Sequence, residues 1–206
     1  MPRRFGSPCT LSRSHDGVSE RFVSIGTEPM RILVYGFGVY RSFKENVTEK
    51  IIRRLPKRRQ LRRIIFPVKF HRRQFIDAVR KHDPEVILGL GQCSRGKRLR
   101  IERRAVNRRR NDRHERAKPI VRGGPRRLPT NLKFNIGPPA RFSRNAGDYV
   151  CNYSMYVILD YLKRRRVPVR FGFVHIPHDF DPGRASLILA KAIDGIEAAS
   201  IRRQSP

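Results

Sequence analysis

Between Arg31 and Leu90, apolar runs of strand length alternate with amphipathic runs of helical length, and this alternation restricts the fold more than any other feature. Arg31-Ile32-Leu33-Val34-Tyr35-Gly36 reads as a buried strand. Asn46-Val47-Thr48-Glu49 then offers an N-cap with a carboxylate three residues on, and Val47, Ile51 and Leu55 share one helical face until Pro56 ends it. Ile64-Ile65-Phe66-Pro67-Val68 reads as a second strand. Phe75, Ile76 and Val79 give the next helix its apolar face before Arg80-Lys81-His82 and Pro84 close it, and Glu85 to Leu90 makes a third strand. Strand, helix, strand, helix, strand predicts an α/β sheet covered by helices on both faces.

The second half is less regular. From Asn107 to Arg144 the chain is rich in Arg, Pro, Gly and Asn, which predicts a long irregular segment. Cys151 to Leu162 is apolar on nearly every face and reads as a largely buried helix, with Lys163-Arg164-Arg165-Arg166 complementing the negative end of its dipole. Val167 to Ile176 reads as a strand. Asp181-Pro182 then caps a last helix whose buried face is Ala185, Leu189, Ile193 and Ile196. With 206 residues the chain predicts one domain over 30–202. The polar stretch 1–29 reads as a disordered basic extension, and Met30 as a candidate start.

Charge is extreme: 47 Lys and Arg stand against 17 Asp and Glu, giving a formal +30 and a pI near 11.6. Such a surface attracts polyanions and makes nonspecific nucleic-acid association an expectation. The arginine runs are scattered, however, from Arg53-Arg54 to Arg164-Arg165-Arg166, and read as solvated faces. Cys9, Cys93 and Cys151 are too few and too widely spaced for a disulfide framework or a paired-ligand zinc site, which predicts a reducing, cytoplasmic setting and no metal. No window approaches the ~20 apolar residues of a membrane span, and no secretory apolar core is present, so no membrane association is expected.

Three distant blocks carry the chemistry. Cys151 stands between the glycine-bearing turn Asn145-Ala146-Gly147 and a helical run, where the positive end of a helix dipole favours the thiolate. His175 ends an apolar strand segment, Gly172-Phe173-Val174-His175-Ile176-Pro177, and Glu102 lies in Arg100-Ile101-Glu102-Arg103. Each has an ordinary reading: a small buried hydrophobe, a core histidine, a carboxylate among arginines. Together they suggest a Cys, His, Glu peptidase. Gly91-Gln92-Cys93-Ser94-Arg95-Gly96-Lys97 has the GxxxxGK spacing of a phosphate loop. Arg98 follows where Ser or Thr is needed, and Leu99 to Val106 reads as extended, so nucleotide binding is disfavoured.

The cysteine block Asn145 to Tyr156, the histidine block Gly172 to Pro177 and Ile101-Glu102-Arg103-Arg104-Ala105-Val106-Asn107 occur in the order found in the pyroglutamyl peptidase I, or pyrrolidone-carboxylate peptidase, family of cysteine peptidases. The resemblance extends to Gly36-Phe37 with Tyr40, and to Gly89-Leu90-Gly91-Gln92. It implies an α/β/α sandwich with a mixed, largely parallel sheet, Cys151 as nucleophile, His175 as general base and acid, and Glu102 as the orienting carboxylate. It also implies removal of N-terminal pyroglutamate from peptides without a cofactor, and a homotetramer. Phe37, Tyr40, Tyr149 and Val150 would then hold the flat pyroglutamyl ring. Arg41-Ser42 stand where the family has two glycines, Val47 replaces a proline, and Tyr40 a phenylalanine. The segment at about 107–144 is shorter than in the family. Its loop arginine has no clean counterpart, Asp112-Arg113 being nearest. The charge predicts a homo-oligomer weaker than the family tetramer. A catalytically impaired scaffold that binds nucleic acid through its arginines is the competing expectation.

Overall fold

The computed structural model of the protein describes residues 29–204 apart from 41–43, 95, 113 and 139. The expected basic extension, save Pro29, lies outside the described residues, as do Arg41, Ser42 and Arg113. In chain order the elements are β1 (Ile32–Phe37), α1 (Val47–Arg54), β2 (Leu61–Phe66), α2 (Arg72–His82), β3 (Val86–Cys93), β4 (Leu99–Glu102), β5 (Arg104–Val106), β6 (Arg127–Pro129), β7 (Ala140–Ser143), α3 (Val150–Arg165), β8 (Arg170–Pro177) and α4 (Pro182–Gln204).

Six strands form one sheet in the order β2-β1-β3-β8-β4-β7. β2, β1, β3 and β8 are mutually parallel, whereas β4 runs antiparallel to β8 and carries β7 parallel to itself. Alternate residues of the central strands feed two cores, as strand geometry requires. Ile32, Val34, Leu88 and Val174 pack with Ile51 and Ile52 of α1 and with Leu189 and Ile193 of α4. Leu33, Tyr35, Ile87 and Phe173 pack on the other face with Phe75 of α2 and Tyr156 of α3. The expected three-layer α/β/α sandwich with a mixed, largely parallel sheet is the fold observed. Among the described residues no helix is long and apolar enough to cross a membrane.

Local signals set the helix ends. Asn46 Oδ1 accepts from the Thr48 amide at 3.0 Å and from the Thr48 hydroxyl at 2.8 Å, which caps α1. Glu49 does not complete a capping box, because it pairs one turn on with Arg53. Asp83 closes α2 in the left-handed conformation, with φ 39. Asp181 Oδ1 accepts from the Arg184 amide at 2.6 Å, and Ala185, Leu189, Ile193 and Ile196 are buried as expected.

The segment expected to be irregular contains two short strands. β7 joins the edge of the main sheet, and β6 pairs antiparallel with β5. Their sequences hide this: in β7 Phe142 is 64% exposed and lies under the Arg103 guanidinium, so no buried alternation marks the strand. Three asparagines hold the segment in place. Asn107 accepts from the amides of Ile120 and Val121 and donates to the carbonyls of Val121 and Gly124. Asn131 accepts from Phe171 and donates to the Val169 carbonyl. Asn152, fully buried in α3, accepts from the Val106 amide and donates to the carbonyls of Val106 and Arg108.

Candidate active site

β8 lies between β3 and β4, so His175 has Gly91 as its register partner on one side and Arg100 on the other. The ring packs edge-on against Phe173, with 5.1 Å between centroids. Its Nδ1 is 2.8 Å from Glu102 Oε1, and both residues are buried, Glu102 completely. Arg100 Nε lies 3.8 Å from the same oxygen. Arg100 Nε and Glu102 Oε2 are buried without hydrogen-bond partners among the described residues. Burial pushes the Glu102 carboxyl up. The hydrogen bond and charge of His175, the nearby Ser143 side chain and the Arg100 guanidinium outweigh burial and hold it below the usual range.

Cys151 is the second residue of α3. The turn before it is built for a sharp entry: Asn145 Oδ1 accepts from the Gly147 amide at 3.1 Å, and Gly147 has φ 78, which costs a residue without a side chain little. Tyr149 is the extended N-cap and makes no side-chain capping bond to the first-turn amides of α3, which like those of any helix have no intrahelical acceptor. The sulfur rests on β3 where Gly91 has no side chain. A Cβ at Gly91 would lie 2.7 Å from Cys151 Sγ and 2.8 Å from the Phe173 ring.

The helix dipole was expected to favour the thiolate, yet the thiol is pushed up to about 12. Burial is the main cause, followed by Cys93 and Glu102, while the Cys151 amide and Arg100 act in the opposite direction. The sulfur makes no hydrogen bond to the imidazole, so the structure joins His175 to Glu102 directly and sets Cys151 beside them, across Gly91.

Cys151 also lines a cavity of about 530 Å³, together with Phe37, Tyr40, Tyr149 and Val150. All four expected ring-binding residues therefore reach the same space. The Tyr40 and Tyr149 rings lie 5.0 Å apart at 38°, and Phe70 meets Tyr149 edge-on at 5.2 Å. Arg110 shares this lining, which sequence reasoning missed. Its backbone amide donates to the Asp148 carbonyl at 2.9 Å and its Nε to the Asp148 carboxylate, which Arg108 also approaches at 3.7 Å. Within an Arg-Arg-Arg run, only the position of Asp148, three residues before Cys151, hints at this. Asp112 lines the cavity as well. The stretch from Gly91 is no phosphate loop: its first residues complete β3, strand β4 follows, and Lys97 pairs with Asp179 at 2.7 Å. Among the described residues no group of three or more His, Cys, Asp or Glu is gathered as a metal site.

The family model described as pyroglutamyl peptidase matches residues 30–203. The chain belongs to the pyroglutamyl peptidase family. This family member is 35% identical over 169 residues to the pyrrolidone-carboxylate peptidase of Halalkalibacterium halodurans, covering 71% of this chain and 83% of that protein. It is 28% identical over 195 residues to that of Staphylococcus carnosus, covering 82% and 91%. With that of Erwinia tasmaniensis it is 34% identical over 143 residues, a match spanning 60% of this chain and 65% of the relative. Pyrrolidone carboxyl peptidase from Thermus thermophilus superposes with a TM-score of 0.71 at 27% identity, covering 79% of this chain and 98% of that one. The Thermococcus litoralis structure gives 0.73 at 19% identity, covering 84% and 96%, a likeness of fold. The enzyme class that goes with the pyroglutamyl peptidase family is cysteine-type omega peptidase, the class implied by the blocks around Cys151 and His175.

Proposed function

We propose that this family member is a cysteine exopeptidase that removes N-terminal pyroglutamate from peptides, with Cys151 as nucleophile, His175 as general base and acid, and Glu102 as the orienting carboxylate. The observation that carries this reading is the meeting of three features. A cavity-lining cysteine opens α3, its sulfur sits against Gly91, and His175, the register partner of Gly91, is hydrogen-bonded to a buried, ionised Glu102. With Glu102 ionised, His175 carries its proton on Nδ1 and presents the Nε2 lone pair.

The high thiol value means that the resting nucleophile is protonated, so attack requires proton transfer as the bond forms. Nε2 takes the Sγ proton while sulfur adds to the pyroglutamyl carbonyl carbon. The resulting oxyanion lies near the N-terminus of α3, whose first-turn amides are its candidate donors. The imidazolium then protonates the departing amine of the next residue, leaving a pyroglutamyl thioester. Water, deprotonated by Nε2, adds to the thioester carbonyl, and expulsion of sulfur with return of a proton restores the thiol and frees pyroglutamate. The lactam ring is uncharged and flat, which suits the aromatic walls of Phe37, Tyr40 and Tyr149.

A fluorogenic pyroglutamyl amide tests the assignment under reducing conditions. Turnover should appear in the native chain and fall by a factor on the order of 10⁴ or more in Cys151→Ala and His175→Ala. Undiminished turnover in Cys151→Ala refutes this mechanism.

A further inference from the structure

A second cavity, of about 560 Å³, lies beside the small β5–β6 sheet and the turn that leads into α3. Among the described residues, six cations line it, Arg104, Arg108, Lys118, Arg126, Arg127 and Arg144, and no carboxylate does. Three other grooves among the described residues contain acids in their lining or in ion pairs with it. The active-site cavity includes Asp112 and Asp148, and the groove at the start of α4 includes Glu45, Asp179 and Asp181. A basic groove beside β2 has no acid in its lining, but there Arg31 is neutralised by Asp83 and Glu85.

In the second cavity Lys118 pairs with Glu115, Arg108 approaches Asp148, and Arg104 Nε donates to the Arg144 carbonyl at 3.0 Å. Arg126, Arg127 and Arg144 are exposed and have no ion pair among the described residues. Their backbones are nonetheless fixed. Arg127 belongs to β6, opposite Val106, the Arg126 carbonyl accepts from the Asn107 amide at 3.0 Å, and the Arg144 carbonyl is the acceptor of Arg104. At physiological ionic strength charges are screened beyond about 8 Å, so only cations gathered in one cavity act together on a ligand. Guanidinium forks match phosphate oxygens two at a time, and a volume of this size suits a small molecule better than a length of nucleic acid.

We propose that this cavity binds a compact phosphate polyanion, a diphosphate unit either free or carried by a nucleotide. The ligand would neutralise the three unpaired arginines from within the concavity. This reading is independent of the peptidase mechanism, because no residue of the Cys151, His175 and Glu102 group lines the cavity.

Isothermal titration calorimetry of the full chain with inorganic pyrophosphate, at physiological ionic strength, should give saturable one-to-one binding. The triple substitution Arg126→Gln, Arg127→Gln and Arg144→Gln should weaken it by about tenfold or more, and each single substitution should weaken it in part. Arg59→Gln with Arg62→Gln, in the basic groove beside β2, should leave it unchanged. ADP titrated in parallel separates the sources: equal affinity assigns recognition to the diphosphate alone, and tighter binding adds the nucleoside. Absent or non-saturable binding overturns the proposal. So does binding that survives the triple substitution, or that falls equally in the control variant.

Discussion

Gly91 makes room for the Cys151 sulfur through the side chain it lacks. Gly91→Ala would place a methyl group 2.7 Å from Cys151 Sγ, and strand backbone gives no easy escape, so sulfur and the Phe173 ring must shift. Overpacking of this kind costs about 1–3 kcal/mol. We expect thermal unfolding to show a loss of that order, and turnover of the pyroglutamyl amide to fall further than the folded fraction does, because the displaced atom is the proposed nucleophile. Arg100 acts on charge: it favours ionisation of both Glu102 and Cys151. Arg100→Gln should slow iodoacetamide alkylation of Cys151 at neutral pH, with mass spectrometry reading the modified thiol. Glu102 supplies a pH signature. Its carboxyl is depressed in the fold, so it adds stability above the unfolded value of about 4.3 and loses that contribution as pH falls through the folded value. Urea midpoints of Glu102→Gln should therefore vary less with pH on the acid side than those of the native chain. Cys151, His175 and Glu102 were candidates because each stands in a local block with chemical character, and Phe37, Tyr40, Tyr149 and Val150 came from the family resemblance; the structure gathers those four around one cavity with Cys151. Arg110 and the role of Gly91 were not legible, since an ion pair to Asp148 and a close approach of sulfur to backbone exist only after folding.

At the scale of elements, the readable parts are those whose signals are local. α1 and α4 follow from Asn46 and Asp181 as caps and from residues repeating on one face, and β1 from an unbroken apolar run. β6 and β7 escaped because partners distant in sequence stabilise them, and because their side chains are largely exposed. Asn152 ties these scales together, holding β5 to α3 one residue after Cys151. Asn152→Ala would strand the Val106 amide, costing about 1–3 kcal/mol for a buried group left unsatisfied, whereas the Val106 carbonyl keeps the Arg108 amide at 2.8 Å. Asn152→Asp is the sharper test. It keeps an acceptor for the Val106 amide but turns an oxygen toward the carbonyls of Val106 and Arg108. Denaturation midpoints should place Asp no higher than Ala despite its near-identical shape.

The whole molecule carries +30, and mutual repulsion of that size opposes the compact state. Raising NaCl from low to physiological ionic strength should raise the Tm, and a Tm that falls over that range would contradict the argument. Some acid groups tie elements together. Asp160, buried in α3, accepts from Arg72 of α2 at 3.1 Å and from Arg164 at 2.9 Å, and Arg58 reaches both Asp194 and Glu197 of α4. Asp160 and Asp148 each serve two arginines. Tolerance to substitution is therefore lopsided. Dropping one arginine leaves its neighbour on the same oxygen pair, whereas dropping the aspartate abandons two cations at once. A library of functional variants drawn at random would shed arginine freely at these positions and keep almost every acid.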